Sequence, residues 1–298
     1  MLDRIIISGG YGRTCNQLFQ ITRWIPAAIS LGAPLYFPSF RRYAKLFAGT
    51  HDAGMPRYPR GAPPLPCSTA MIAWLLSGVN RVSPGMLSAC LRLAGRLPGN
   101  VMFELDDSGR DGLTTTAMVV KQERIAEGRT LWIKGWLYRD PEGVRTHEAA
   151  IREFFAPIPP VAKRIASFIE MARHGREVLV GVHLRRGDYR KWDDGKYYYD
   201  DATFCRVMRQ IEAALPNRSV RFLLVSNESI DRSKYAAFDV VVGLGNSVGD
   251  LYSLAGCDYI IGPPSTYTSW ASWYEGVPLY HMKDLTTPVR LEYFKSAR

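Results

Sequence analysis

Short apolar runs alternate with amphipathic stretches along this chain, and their order predicts its architecture. Residues 4–8 form an apolar run that ends at Gly9-Gly10-Tyr11-Gly12, the pattern of a buried strand stopping at a glycine turn. From Asn16 to about Leu31, the apolar residues Leu18, Phe19, Ile25 and Ile29 mark a helix, with Gly32 as its stop. Pro26 breaks that pattern and predicts a kink or a division of the helix. Leu35-Tyr36-Phe37 reads as a second strand. Strand, glycine turn, helix, strand is how an α/β domain on a parallel sheet begins.

The pattern then changes. Seven prolines punctuate residues 49–100 (Pro56, Pro59, Pro63, Pro64, Pro66, Pro84 and Pro98), with apolar helical pieces near 68–77 and 86–95. Such a helical insertion suits three roles: cover for a binding site, an amphipathic face against a membrane, or ordinary packing. Leu131-Trp132-Ile133 is the clearest strand of residues 101–155, and a helix ends near Phe154-Phe155. Ala156-Pro157-Ile158-Pro159-Pro160 reads as a linker, because consecutive prolines oppose both helix and ladder.

Beyond it the alternation is regular. A helix near 161–173 precedes the strand 178–182, and a helix near 200–214 precedes the strand 222–225. Strand 240–242, helix 248–255, strand 259–261, helix 266–275 and a short strand at 277–280 complete the series. Repeated β-then-α units of this length predict a Rossmann-like domain. The expected division is 1–156, with an insertion at about 49–100, and 161–298.

Composition adds two constraints. The chain has 298 residues, 47% hydrophobic and 22% charged, and a formal net charge of +10. That balance belongs to a globular protein with sizeable cores, and the positive excess suits an anionic ligand or surface. Cys15, Cys67, Cys90, Cys205 and Cys257 include no C-x-x-C and no zinc-finger spacing, so reduced thiols are expected. Met1-Leu2-Asp3-Arg4 runs straight into the first strand and does not read as a secretory leader, and no long apolar stretch reads as a membrane span. The expectation is a cytoplasmic protein, at the inner face of a membrane if it touches one.

The chemistry concentrates in Val182-His183-Leu184-Arg185-Arg186-Gly187-Asp188-Tyr189, where a buried strand ends. Ligands of open α/β sheets bind outside the carboxyl ends of strands. Arg185 and Arg186 supply planar forks for phosphate oxygens, and Gly187 lets the backbone turn closely. Asp188 is either a general base or the group that holds the arginine pair. Ser265 and Thr266, at a helix start after a strand, can cap the helix or donate to an anion. Asp250 can cap its helix or accept from a base or ribose. Asn16 and Gln17 offer amide donors beside the first glycine turn. That turn is a poor dinucleotide fingerprint and lacks the expected second-strand acid, which argues against a nicotinamide-dependent dehydrogenase. Asp106-Asp107 and Asp193-Asp194 are adjacent pairs and not D-x-D, so no metal site is expected.

Together these segments resemble the bacterial α-1,2-fucosyltransferases (glycosyltransferase family 11-like), within the α-1,2/α-1,6/protein O-fucosyltransferase superfamily. Val182 to Tyr189 looks like their H-x-R-R-G-D-Y motif, and Asn16-Gln17-Leu18-Phe19-Gln20 resembles G-N-Q-x-F-Q, with Cys15 in place of the glycine. Asp250 to Ile261 is similar to D-x-x-x-M-S-x-C-x-x-x-I, and Ser265 to Trp270 to S-T-F-S-W-W. The resemblance implies a GT-B-like α/β fold, two Rossmann-like domains with a nucleotide-sugar cleft between them. The first would take the acceptor and the second the donor. It implies an inverting, metal-independent transfer from GDP-fucose to a glycan hydroxyl, with no cofactor, in bacterial surface polysaccharide or oligosaccharide synthesis. By position, Arg185 would meet the β-phosphate, His183 and Arg186 the nucleotide, Asp250 the guanosine, and Ser265 and Thr266 the phosphates. Asn16 and Gln17 would face the acceptor or the cleft.

Two alternatives keep part of this reading. One is a transferase of the same fold using another GDP-sugar. The other is a non-enzymatic protein binding polyanions or nucleic acid, with Tyr197-Tyr198-Tyr199 as an exposed stacking run. Against the second, the arginines gather at one strand end and form no long stripe, so no nucleic-acid partner is expected.

Overall fold

The computed structural model describes residues 2–82, 86, 89–90, 99–104, 129–136 and 138–297. The chain divides into two compact units, Met1–Ile158 and Pro159–Arg298. The helix expected near 86–95 falls mostly outside the described residues, and Asp106-Asp107 falls wholly outside them.

In the N-terminal unit β1 (Arg4–Ile7) leads through the glycine turn into α1 (Thr14–Ser30), followed by β2 (Leu35–Tyr36). Then come α2 (Arg41–Ala44), β3 (Arg57–Tyr58), α3 (Cys67–Val82), β4 (Asn100–Glu104), β5 (Thr130–Lys134), α4 (Pro141–Thr146) and α5 (Glu148–Phe154). The sheet order is β3-β2-β1-β5-β4, parallel except where β3 joins β2. β1 is fully buried over Ile5, Ile6 and Ile7, which is why it can stand at the centre. Pro26 does not divide α1, which runs unbroken from Thr14 to Ser30 with Pro26 buried inside it. Packing decides this. Pro26 Cβ presses against Gly143, where any side chain would come within 2.7 Å of it. Trp24 stacks on Tyr138 at 4.0 Å.

The C-terminal unit runs α6 (Pro159–Arg173), β6 (Val178–Leu184), α7 (Asp201–Ala214), β7 (Val220–Ser226) and β8 (Val240–Val242). It continues with α8 (Ser247–Ala255), β9 (Tyr259–Gly262), α9 (Thr266–Glu275) and β10 (Leu279–His281). Pro159-Pro160, expected to keep the chain out of a helix, instead opens α6. The first helical positions need no intrahelical N–H, so proline costs nothing there. The five strands are all parallel in the order β10-β9-β6-β7-β8. β6, buried at all seven residues, lies in the middle. Successive strands step from β6 through β7 to β8 on one side, then return to build β9 and β10 on the other. The order therefore reverses between β6 and β9. Such a reversal is where open α/β sheets bind their ligands, outside the carboxyl ends of the two strands.

Acids standing just before the strands fasten the amino ends of this sheet. Asp258 accepts from both terminal nitrogens of Arg173 at 2.8 and 3.0 Å and from the Leu179 N–H at 2.8 Å. Asp239 takes Arg221 at 2.9 and 3.1 Å, together with Arg176. Three arginines are thus engaged at the edge opposite the strands' carboxyl ends. Among the described residues no helix is long and apolar enough to cross a membrane.

Candidate functional site

β6 ends two residues later than its apolar run suggests, so His183 and Leu184 belong to the strand and Arg185 is the first residue beyond it. The turn that follows depends on Gly187, whose φ of 57° lies in the left-handed region. A Cβ there would also come within 2.7 Å of the Asn227 side-chain nitrogen. Asn227, at the end of β7, accepts the Arg186 backbone N–H at 2.9 Å. The loop after β6 is thereby tied to the loop after β7.

The two arginines then part. The Arg186 guanidinium bonds to Asp201, which also accepts from Tyr235 at 2.5 Å and Lys234 at 3.0 Å. This pairing turns Arg186 towards the start of α7. Arg185 has another environment. Its terminal nitrogen donates to Asp188 at 2.7 Å, its guanidinium carbon lies 5.0 Å over the Tyr189 ring, and its side chain is only 15% exposed. Its Nε is buried without a hydrogen-bond partner. A buried donor left unpaired costs about 1–3 kcal/mol, so the free protein holds an unmet requirement for an acceptor here. Asp188 is half exposed and bound to the fork, the position of a group that orients Arg185.

Tyr189 ties two of the strand-end loops together. Buried, it donates its hydroxyl to the Pro264 carbonyl at 2.6 Å and so joins the loop after β6 to the loop after β9. Ser265 follows as the cap of α9, accepting the Tyr267 N–H on its hydroxyl at 3.1 Å, and Thr266 opens the helix. Tyr267, in the first turn, packs its ring 4.9 Å from that of His183 and donates to the Ser247 carbonyl at 2.7 Å. It therefore connects β6, α9 and the start of α8. Residues 183–189, 264–267 and 247 converge at the carboxyl edge of one sheet, and the N-terminus of α9 points its backbone donors and dipole there.

His183 is 3% exposed, and burial, reinforced by Arg185 and His281, lowers its imidazole to about 3. It is neutral at physiological pH, with Nδ1 unpartnered. His281 behaves alike: burial and then Lys283 bring it to about 4, and its Nε2 meets the Thr268 hydroxyl at 3.1 Å.

Asp250 does not cap its helix. Asn246 does, accepting the Gly249 N–H at 2.7 Å, and Asp250 lies one turn further in. Its buried carboxylate reaches back to the loop after β8, where Oδ1 accepts the Gly245 N–H at 3.1 Å. Burial pushes this carboxyl above its usual range, partly offset by the amides of Gly245 and Leu244. Gly243 must be a glycine for the same reason, since a Cβ would stand 2.5 Å from Asp250 Oδ1.

In the N-terminal unit, Asn16 and Gln17 occupy the first turn of α1 after the glycine turn. The Gln17 amide nitrogen donates to Gly12 at 3.4 Å, while its Oε1 and the Ser39 hydroxyl are buried without partners. Gly10 fits between them, a Cβ there meeting Ser39 at 2.6 Å and Gln17 at 3.1 Å.

Sequence reasoning singled out the arginines, Asp250 and Ser265, and of these the structure shows Ser265 as a helix cap. It missed Tyr189, Tyr267 and Asn227 as the side chains that fasten the loops. The available signal was position alone: each stands within a few residues of a strand's carboxyl end. Among the described residues no group of His, Cys, Asp or Glu side chains could hold a metal ion.

No protein-family model matches this chain, and no curated protein sequence does. Solved structures do. Arabidopsis thaliana FUT1, carrying a point mutation and bound to GDP, aligns with a TM-score of 0.60 and 13% identity over 95% of this chain and 70% of its own. The fucosyltransferase NodZ from Bradyrhizobium aligns with a TM-score of 0.58 and 18% identity over 95% and 96%. The NodZ α-1,6-fucosyltransferase soaked with GDP-fucose gives 0.57 and 17% over 96% and 97%. The chain has the α/β, GT-B-like fold of these structures, as its sequence predicts.

Proposed function

We propose that this protein is an inverting glycosyltransferase that moves fucose from GDP-fucose to a hydroxyl of a glycan. The observation that carries the reading is Arg185. It is a largely buried guanidinium at the point between β6 and β9 where the strand order reverses, oriented by Asp188 and Tyr189 and lacking one acceptor. Beside it stands the N-terminus of α9. This arrangement fits a diphosphate. Charge grows on the departing diphosphate as the glycosidic bond breaks, and fixed donors that need no reorganisation stabilise it. Arg185 and the first turn of α9 supply that positive potential from the protein itself, which supports transfer without a divalent ion.

In this reading neutral His183 lies against the nucleotide, and Ser265 and Thr266 border the phosphates. Asp250 acts by fixing the 243–245 loop around the guanosine. Asp188 is engaged with Arg185, which favours a positioning role over that of the base that takes the acceptor proton. Arg186 contributes through its backbone and through the Asp201 network. The likeness to NodZ and FUT1 supports the donor class. The H-x-R-R-G-D-Y resemblance supports an α-1,2 linkage and a product in bacterial surface polysaccharide or oligosaccharide, and we place the protein in the cytoplasm, at the inner face of a membrane if it touches one. Asn16 and Gln17 are assigned to the acceptor domain, residues 1–156.

The test is release of GDP from GDP-fucose by the purified chain against a glycan panel, with and without EDTA. Fucosylated product and unchanged turnover in EDTA are expected. Absence of GDP release with every acceptor, in protein that does not bind GDP, would refute the assignment.

A further inference from the structure

The loop leaving Arg185 carries an exposed aromatic group that has no part in the proposed donor site. Tyr189, anchored by its bond to Pro264, stacks on Trp192 with centroids 4.8 Å apart and planes 33° apart. Trp192 in turn lies 5.7 Å from Tyr197 at 31°. Trp192 is 48% exposed, whereas every other tryptophan among the described residues is buried or half-buried. A large indole left open to water beside a binding site marks a place where something apolar and flat-faced docks.

The backbone is arranged to hold it there. Asp193, Asp194 and Gly195 take φ of 49°, 53° and 76°, three left-handed residues in succession, two of which carry side chains. Such conformations are unfavourable for L-residues and persist where surrounding structure enforces them. The strained turn is closed by the Lys196 N–H on Asp193 at 3.0 Å and the Tyr198 N–H on Gly195 at 2.9 Å. Its result is to bring residues 192 and 197 ring to ring.

The surroundings identify the occupant. Residues 187–200 contain four acids and three bases, a nearly balanced set that attracts a phosphate backbone poorly. Asp193, Asp194 and Lys196, next to the rings in sequence, are exposed and can bond hydroxyl groups, and Lys196 Nζ stands 5.2 Å over the Tyr197 ring, which leaves Trp192 as the main stacking face. Tyr199, which a stacking run for nucleic acid would need, is buried with its hydroxyl on the Met282 carbonyl at 2.5 Å. An aromatic face rimmed by both donors and acceptors suits a neutral sugar ring, whose C–H face packs on the indole while its hydroxyls reach the rim.

We propose that Trp192 and Tyr197, although in the C-terminal unit, form a stacking subsite for a neutral pyranose ring of the acceptor glycan, in addition to the acceptor contacts assigned to the N-terminal unit. The acceptor role rests on the transferase reading; the saccharide site itself does not. The chain Arg185, Tyr189, Trp192 is continuous, with the guanidinium 5.0 Å over the first ring. The subsite is thus two ring contacts from the residue assigned to the donor phosphate.

Saturation-transfer NMR on the full chain, with lactose, diacetylchitobiose and mannobiose as probes and a ten-residue oligothymidylate as control, tests the proposal. At least one disaccharide should receive saturation through its ring C–H protons. Trp192→Ala should weaken it at least tenfold, Tyr197→Leu should weaken it less, and Trp192→Phe should keep most of it. Both the circular-dichroism spectrum and the GDP affinity should stay within error of wild type. No saturation of any disaccharide by wild type, or Trp192→Ala binding within twofold, would overturn the subsite. So would Trp192-dependent binding of the oligonucleotide alone. Saccharide binding that persists in a chain unable to bind GDP would leave the subsite standing and remove the donor assignment instead.

Discussion

Replacing Arg185 with alanine tests the site most directly, and the structure sets the size of the effect. In the free protein the guanidinium has one committed hydrogen bond, to Asp188, one ring contact, to Tyr189, and one buried Nε without an acceptor. A diphosphate oxygen arriving at the Nε edge forms a charge-assisted bond worth about 1.5–3 kcal/mol and relieves the unpaired donor as well. Two such contacts from one planar fork give about 3–6 kcal/mol, so Arg185→Ala should weaken GDP binding by roughly 100-fold to 20,000-fold. Transfer should fall at least as far, because charge on the diphosphate is greatest in the transition state. Arg185→Lys keeps the charge but loses the planar fork and its seat over Tyr189, so a loss of about 1.5–3 kcal/mol is expected. Isothermal titration with GDP reads the binding term, and melting temperature guards against misfolding. The side chain is at the surface end of β6 and outside the core, so folding should survive. A folded Arg185→Ala protein that binds GDP within threefold of wild type would refute the phosphate role.

Two further outcomes follow from the same geometry. A cleft that is merely basic binds GDP, UDP and ADP alike, whereas a guanosine site should prefer GDP by at least about tenfold, on the order of 1.4 kcal/mol. Asp250→Ala, by releasing the Gly245 amide and the 243–245 loop, should narrow that gap without changing the circular-dichroism spectrum, and equal binding of all three nucleotides by wild type would remove the guanosine assignment. Stability should fall on acidification, because buried His183 and half-buried His281 stay neutral down to about 3 and about 4 while the unfolded chain takes up protons below its ordinary value near 6.5. Their contribution is complete above that pH. It is lost at about 1.4 kcal/mol per pH unit for each imidazole on the way down, so the melting temperature should drop between pH 6.5 and 4.5 and His281→Asn should flatten the drop. A melting temperature that is constant or rises over that interval would contradict the burial argument.

What the sequence determined by itself was mostly local. Apolar runs of four to seven residues, glycine or proline at their ends, and helical spacing between them placed the strands and helices of the C-terminal unit within two residues. Arg185, the residue proposed to meet the phosphate, stood out in the sequence because it follows such a run at once, and a strand's carboxyl end is where α/β sheets bind ligands. Where local signals competed with packing, packing decided. Pro26 remains inside α1 because the Gly143 contact and the surrounding core hold that helix. Pro159 opens α6 because a helix start makes no demand on its nitrogen. The tertiary structure alone separated two adjacent arginines, sending Arg186 to Asp201, 15 positions later in sequence, and leaving Arg185 at the carboxyl end of β6. It alone moved the cap of α8 from Asp250 to Asn246, and made Tyr189, Tyr267 and Asn227 the ties between loops 20 to 75 residues apart. Periodicity reports which face of an element is buried. The partner of a polar side chain depends on which strand ends the sheet order brings together, and that order is set by the summed packing of the whole unit.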